Sequence, residues 1–105
     1  MTELIKITTN DEGKQLVSAR ELHEGLEVGK KFTDWIKNRI NKYGFEENED
    51  YTIINNEVQS QNRERTYLEQ DYIITIDMAK ELCMVENNEQ GRKYRKYFMK
   101  GIMSN

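Results

Sequence analysis

Two helix signatures lie back to back between Ser18 and Gly44, and their closeness limits what this chain can fold into. The first opens on Ser18-Ala19-Arg20-Glu21, a capping box. The Ser18 hydroxyl can accept from the Glu21 N–H, and the Glu21 carboxylate can reach back to the Ser18 N–H. Ala19, Leu22 and Leu26 follow at helical spacing, and Gly25 and Gly29 bracket the expected end after about two turns. The second helix is expected from about Lys31 to Lys42, where Phe32, Trp35, Ile36, Ile40 and Tyr43 make one apolar stripe. Gly44 stands where a C-terminal cap belongs. Lys30, Lys37, Asn38 and Asn41 fall on the opposite face, while Arg39 projects beside the stripe. Its stem must snorkel, or its head must pair with a carboxylate.

Strand signals flank this pair. Leu4 to Thr9 is rich in β-formers, the cluster Asn10-Asp11-Glu12-Gly13 makes a turn, and Gln15, Leu16 and Val17 can return as a hairpin. Glu46 to Asp50 reads as an acidic loop, Tyr51 to Ile54 as a strand, Asn55-Asn56 as a turn, and Gln59 to Arg65 as a polar loop or hairpin tip. Tyr67-Leu68 and Tyr72 to Ile76 add strand signal, so a small antiparallel sheet or wing is expected. Asp77 can cap a third helix holding Met78, Ala79, Leu82 and Cys83. After a turn at Asn87 to Gln90, a fourth helix should reach about Met103, with Tyr94, Tyr97, Phe98 and Ile102 on one face. The likeness of Ala19-Arg20-Glu21-Leu22 to Ala79-Lys80-Glu81-Leu82 suggests two helix pairs but fades too quickly for a repeat. The expected class is α+β: a small antiparallel sheet with about four helices, including a helix–turn–helix-like pair. A chain of 105 residues suits a single domain over 1–105.

Little in the chain suggests catalysis, and the expectation is a protein that is not an enzyme. His23 is the only histidine and sits at the edge of a short helix; Cys83 is the only cysteine and reads as a small core hydrophobe. One cysteine excludes an internal disulfide and a multi-cysteine zinc site. The Asp11-Glu12-Gly13 turn lacks the alternating oxygens of a calcium loop, and no glycine-rich phosphate loop occurs. No metal and no cofactor are therefore expected. No apolar run approaches the roughly 20 residues of a membrane span, so no membrane partner is expected either.

Net charge at first argues against a nucleic-acid partner, being −3 with a pI near 5.3. The total hides a segregated pattern. Lys30 to Lys42 holds Lys30, Lys31, Lys37, Arg39 and Lys42 against Asp34 alone, and Arg92, Lys93, Arg95, Lys96 and Lys100 follow Glu89 without an acid. Cations late in a helix also answer its macrodipole, but two basic helices favour an anionic partner, whether phosphates or an acidic protein surface. The candidate binding residues are Lys30, Lys31, Lys37, Asn38, Asn41, Arg92, Lys93, Lys96 and Lys100. Lysine neutralises phosphates, and asparagine can pair with an adenine edge. The same outer face also suits an ordinary solvated helix. Met99 and Met103 fall away from the aromatic stripe of the last helix, so Met99, Ile102 and Met103 are candidates for an oligomer contact or a further domain, unless that terminal turn frays.

Two blocks carry a resemblance. Leu16 to His23 with Phe32-Thr33-Asp34-Trp35-Ile36 and Asn48 to Tyr51 forms one; Asp71 to Leu82 with Asn87 to Phe98 forms the other. Together they resemble the AntA/AntB phage antirepressor domain over about residues 14 to 100, and more broadly the Bro and KilA N-terminal domains. The resemblance implies control of lysogeny in the host cytoplasm, through binding of a phage repressor protein rather than its cleavage. It leaves double-stranded DNA and a second copy as further partners. Members commonly carry a C-terminal domain, so a chain ending at Asn105 is expected to be a short member or one module of a longer antirepressor. The alternatives are a helix–turn–helix DNA-binding regulator and an oligomerisation module.

Overall fold

Alternating apolar residues and capped helices assemble into a sheet with helices packed on it. The structure, a computed structural model, describes residues 4–59 and 65–103, with side chains through residue 100. The strands are β1 (Thr8–Thr9), β2 (Gln15–Ser18), β3 (Tyr51–Gln59) and β4 (Thr66–Thr75). The helices are α1 (Ala19–Gly25), α2 (Phe32–Tyr43), α3 (Ile76–Glu86) and α4 (Glu89–Met103). The sheet runs in the order β1-β2-β4-β3 with every pair antiparallel. The α+β expectation holds.

Period-two alternation decides which sheet face meets the helices. Val17 pairs with Ile74, and Ile74 with Tyr51, so one face turns Val17, Ile74, Tyr72, Tyr51 and Ile53 to the core. There they join Leu22 and Leu26 of the α1 end, Phe32, Trp35 and Ile36 of α2, Met78 and Leu82 of α3, and Tyr94 and Phe98 of α4. Short of any strand, Ile5 is buried as well, held by the Tyr97 hydroxyl donating to its carbonyl at 3.2 Å.

Several boundaries differ from the sequence expectation, each for a reason of pairing or capping. The first strand is only Thr8–Thr9, and before it the carbonyls of Leu4 and Ile5 accept from the Tyr94 and Tyr97 hydroxyls of α4. Asn55-Asn56 is not a turn: Asn55 pairs with Gln70 and Asn56 with Glu69, so the ladder outweighs the local turn preference. The expected polar tip falls on residues 60–64, outside the described residues, while Gln59 belongs to β3. Asp77 does not cap α3. Thr75 does, its hydroxyl accepting from the Met78 N–H at 3.2 Å, and Ile76 is helix rather than strand.

Gly44 does end α2 in the left-handed conformation, at φ 72°. Gly25 has a different purpose from the one its position suggests. The left-handed residue after α1 is Glu27, whereas a Cβ on Gly25 would collide with the Tyr94 ring and hydroxyl. The glycine is there so that α4 can approach α1.

Candidate partner-binding surfaces

The residues that look most like a motif turn out to build the fold. Ser18 Oγ accepts from the Glu21 N–H at 3.2 Å, as the capping box requires. Its own proton goes to Asp71 Oδ2 at 2.6 Å, and Asp71 Oδ1 accepts from the N–H groups of Arg20 and Tyr72. Among the described residues Asp71 is the one buried charged side chain, and it takes up the exposed start of α1 from the neighbouring strand. Arg20 donates to the Gln70 carbonyl at 2.7 Å and lies over the Phe32 ring at 4.5 Å. Charge and aromatic surface thus join α1, α2 and β4 at one corner.

His23 is structural too. Its Nε2 lies 2.6 Å from the Lys30 carbonyl, which can only accept, so the proton sits on that nitrogen. The ring packs against Trp35 and Phe32, with centroids 5.2 and 5.7 Å away. This bond shapes the connection of residues 26–31, which is longer than the three or four residues of a tight helix–turn–helix.

In α2, the question left by Arg39 resolves into a pair. Glu86 Oε2 accepts from Arg39 Nη2 at 2.8 Å, from Arg39 Nε at 3.3 Å and from Trp35 Nε1 at 2.8 Å. With the two charged side chains only 20% and 12% exposed, this knot ties α2 to the end of α3 and removes Arg39 from the binding surface. Lys30, Lys31, Lys37, Asn38 and Asn41 are exposed as expected. Asp34 is exposed among them, and Asn38 Oδ1 already accepts from Arg39 Nη1 at 3.0 Å. With Arg39 turned inward, the outer face of α2 keeps Lys30, Lys31, Lys37 and the exposed Lys42 against Asp34.

The other basic helix keeps its charge. Arg92, Lys93, Lys96 and Lys100 are exposed, as is Arg95, and among the described residues none of them joins an ion pair. The inner side of α4 supplies Tyr94 and Phe98 to the core. Its start is fixed by Asn88, whose Oδ1 accepts from the Gly91 N–H at 2.7 Å and whose amide reaches the Leu26 carbonyl. Met99 is exposed, while Ile102 and Met103 lie in α4 with side chains outside the described residues. The two basic sets are anchored separately. α2 reaches α3 through Glu86, and α4 packs along α3 from the Asn87-Asn88 corner.

Cys83 sits beneath that corner. Burial pushes its thiol up to about 12, against a smaller lowering by Arg95, so it stays protonated and unreactive at neutral pH. Burial, then the Glu47 carboxylate, also raises the Tyr51 and Tyr72 phenols. Among the described residues no group of acids, cysteine and histidine is placed to hold a metal ion, and no helix is long and apolar enough to cross a membrane.

The pattern of the AntA/AntB antirepressor family fits residues 17–88, from β2 through the Asn87-Asn88 corner. The chain belongs to that family. No curated protein and no solved structure matches the chain. The fit contains the Ser18–Asp71 cap, the His23 connection and the Trp35–Arg39–Glu86 knot, and it stops before α4. The family pattern thus holds most of the core but not Ile5, Tyr94 or Phe98, and the cations of α4, which join no ion pair among the described residues, lie beyond it. Sequence reasoning missed Asp71 and Glu86. A lone charge beside the apolar run Tyr72-Ile73-Ile74 was the available signal for Asp71.

Proposed function

We propose that this chain is a phage antirepressor module that relieves prophage repression by binding a repressor protein in the cytoplasm of the host, without catalysis. Family membership over residues 17–88 carries the reading. The buried cap and the Glu86 knot support it, since they make a rigid frame on which exposed side chains can hold a partner. The mechanism is sequestration: the module lowers the concentration of repressor free to occupy its operator. A tenfold shift in occupancy needs about 1.4 kcal/mol of competition. The test is expression of the chain in a lysogen carrying a reporter under the repressed promoter, with affinity capture from the same cells. The reading predicts reporter induction and co-purification of intact repressor. Induction with no repressor recovered at low salt would count against sequestration.

A second reading has its own observation. The exposed cations of α4, which join no ion pair among the described residues, suit direct contact with duplex DNA phosphates. In that case duplex binding falls steeply as salt rises. Undetectable binding at about 50 mM salt rejects it.

A further inference from the structure

Two methionines on the outside of the α3–α4 pair lie uncovered. Met84 is 57% and Met99 41% exposed, while the neighbouring apolar residues Leu82, Cys83 and Phe98 are buried. Both line a groove of about 460 Å³ between the helices, with Asp77, Lys80 and Glu81, a net negative set, on the α3 wall and Arg95 on the α4 wall. A second depression of about 250 Å³ shares Met84 and Arg95 and extends to Arg92. Asp77, at the start of α3, shares the groove with Met99, late in α4, so the two helices run antiparallel.

The charges on the two walls are opposite. Asp77 and Glu81 are exposed on α3, with Lys80 drawn to Asp77 at 3.5 Å. Arg92, Arg95 and Lys96 are exposed on α4 and unpaired among the described residues. A surface that is apolar along its middle, anionic on one side and cationic on the other is complementary to itself under a two-fold axis. An axis parallel to the helices lays α3 of one copy on α4 of the other. Carboxylates then oppose guanidinium groups, and the methionines meet at the centre of a four-helix arrangement. An axis across the helices would stack α4 on α4 and oppose like charges.

We propose that the Met84–Met99 face is where two copies of this chain associate, with α3 of each copy against α4 of the other. Methionine suits the centre, because its unbranched chain adapts to a partner surface. The assembly is independent of which repressor is bound.

Light scattering and sedimentation of the full chain, from about 10 μM to 1 mM, test the assembly. Expected is a dimer that Met84→Glu and Met99→Glu each convert to monomer, with the circular dichroism spectrum retained because both residues are exposed, and the melting temperature no longer rising with protein concentration. Glu81→Arg alone and Arg95→Glu alone should each weaken the dimer several-fold, and combining them should restore it. A monomer across the whole range overturns the proposal, and so does a dimer indifferent to both methionine variants. If Arg95→Glu alone tightens the dimer, α4 faces α4 and the proposed geometry is wrong.

Discussion

Helices α2 and α4 carry the same signature in sequence, an apolar stripe backed by a cluster of cations, yet they use it differently. α2 turns one of its cations inward. Arg39 and the Trp35 indole converge on a single oxygen of Glu86, so part of its charge holds two helices together. α4 makes no such use of its cations. It holds to the fold through Phe98, Tyr94, the close contact at Gly91 and the Tyr94 and Tyr97 hydroxyls that donate to the Leu4 and Ile5 carbonyls, while its cations are exposed. A count of basic residues therefore says little until each has been asked for its partner. The difference also follows the family boundary, since the Glu86 knot lies inside the shared pattern and the cations of α4 outside it.

The largest expected effects are those on which the two helices should agree. Trp35 is 1% and Phe98 0% exposed, so both belong to one core. Trp35→Ala and Phe98→Ala should each cost about 3–5 kcal/mol, measured by urea denaturation. If Phe98→Ala cost much less, α4 would be an appendage, and the comparison would become one between a domain and its tail.

Glu86→Ala should then separate them. It leaves the Arg39 guanidinium and the Trp35 N–H without their shared acceptor in a partly shielded place, at a cost of about 2–3 kcal/mol. The double variant with Arg39→Ala should cost less than the two single costs added, because the partners act as a unit. Additive costs would show that the knot is a contact of convenience and that α2 is held by its apolar stripe alone.

Gly91→Ala probes the corresponding point of α4, at about 1–3 kcal/mol. The new Cβ would stand 2.5 Å from the Cys83 carbonyl oxygen, a backbone atom that cannot swing aside as the Tyr94 side chain can at Gly25. The buried thiol gives a second readout. Native Cys83 should resist a thiol reagent near pH 8 and react in denaturant, and Gly91→Ala should speed the native reaction by loosening α3 from α4. Because burial raises this group from its ordinary value of 9.0 to about 12, the folded state favours the protonated thiol. Its contribution is fully present below about pH 9 and is lost as pH rises toward 12. Cys83→Ser should flatten that alkaline decline.

How far all this could be read in advance depends on the distance of each partner along the chain. The Ser18 cap was legible because its acceptor geometry involves Glu21, three residues away. Asp71, which completes that cap, lies 53 residues beyond Ser18 and shows itself only when β2 meets β4. The need of Arg39 for a carboxylate was legible from its place beside the apolar stripe, but the identity of Glu86 came from the packing of α2 on α3. Asn55-Asn56 misled for the same reason: a local turn preference was overruled by pairing with Gln70 and Glu69 across the hairpin. Exposure of the cations on α4 followed from periodicity. That they join no ion pair among the described residues did not, because every carboxylate in the chain was a candidate until the fold placed it.

The smallest effect on stability should come from the exposed cations of α4. Lys93→Glu with Lys96→Glu changes two exposed side chains that join no ion pair among the described residues, so the unfolding free energy should move by no more than about 0.5 kcal/mol. Duplex binding, where present, should weaken across all sequences and lose part of its salt dependence, since two fewer counterions are released on association. Lys37→Glu on α2 is the paired control. Asp34 is exposed beside it and already offsets the local charge, so its effect on the salt slope should be the lesser one. Equal losses from the two helices would mean that α2 and α4 act as one surface, despite the different ways in which the fold holds them.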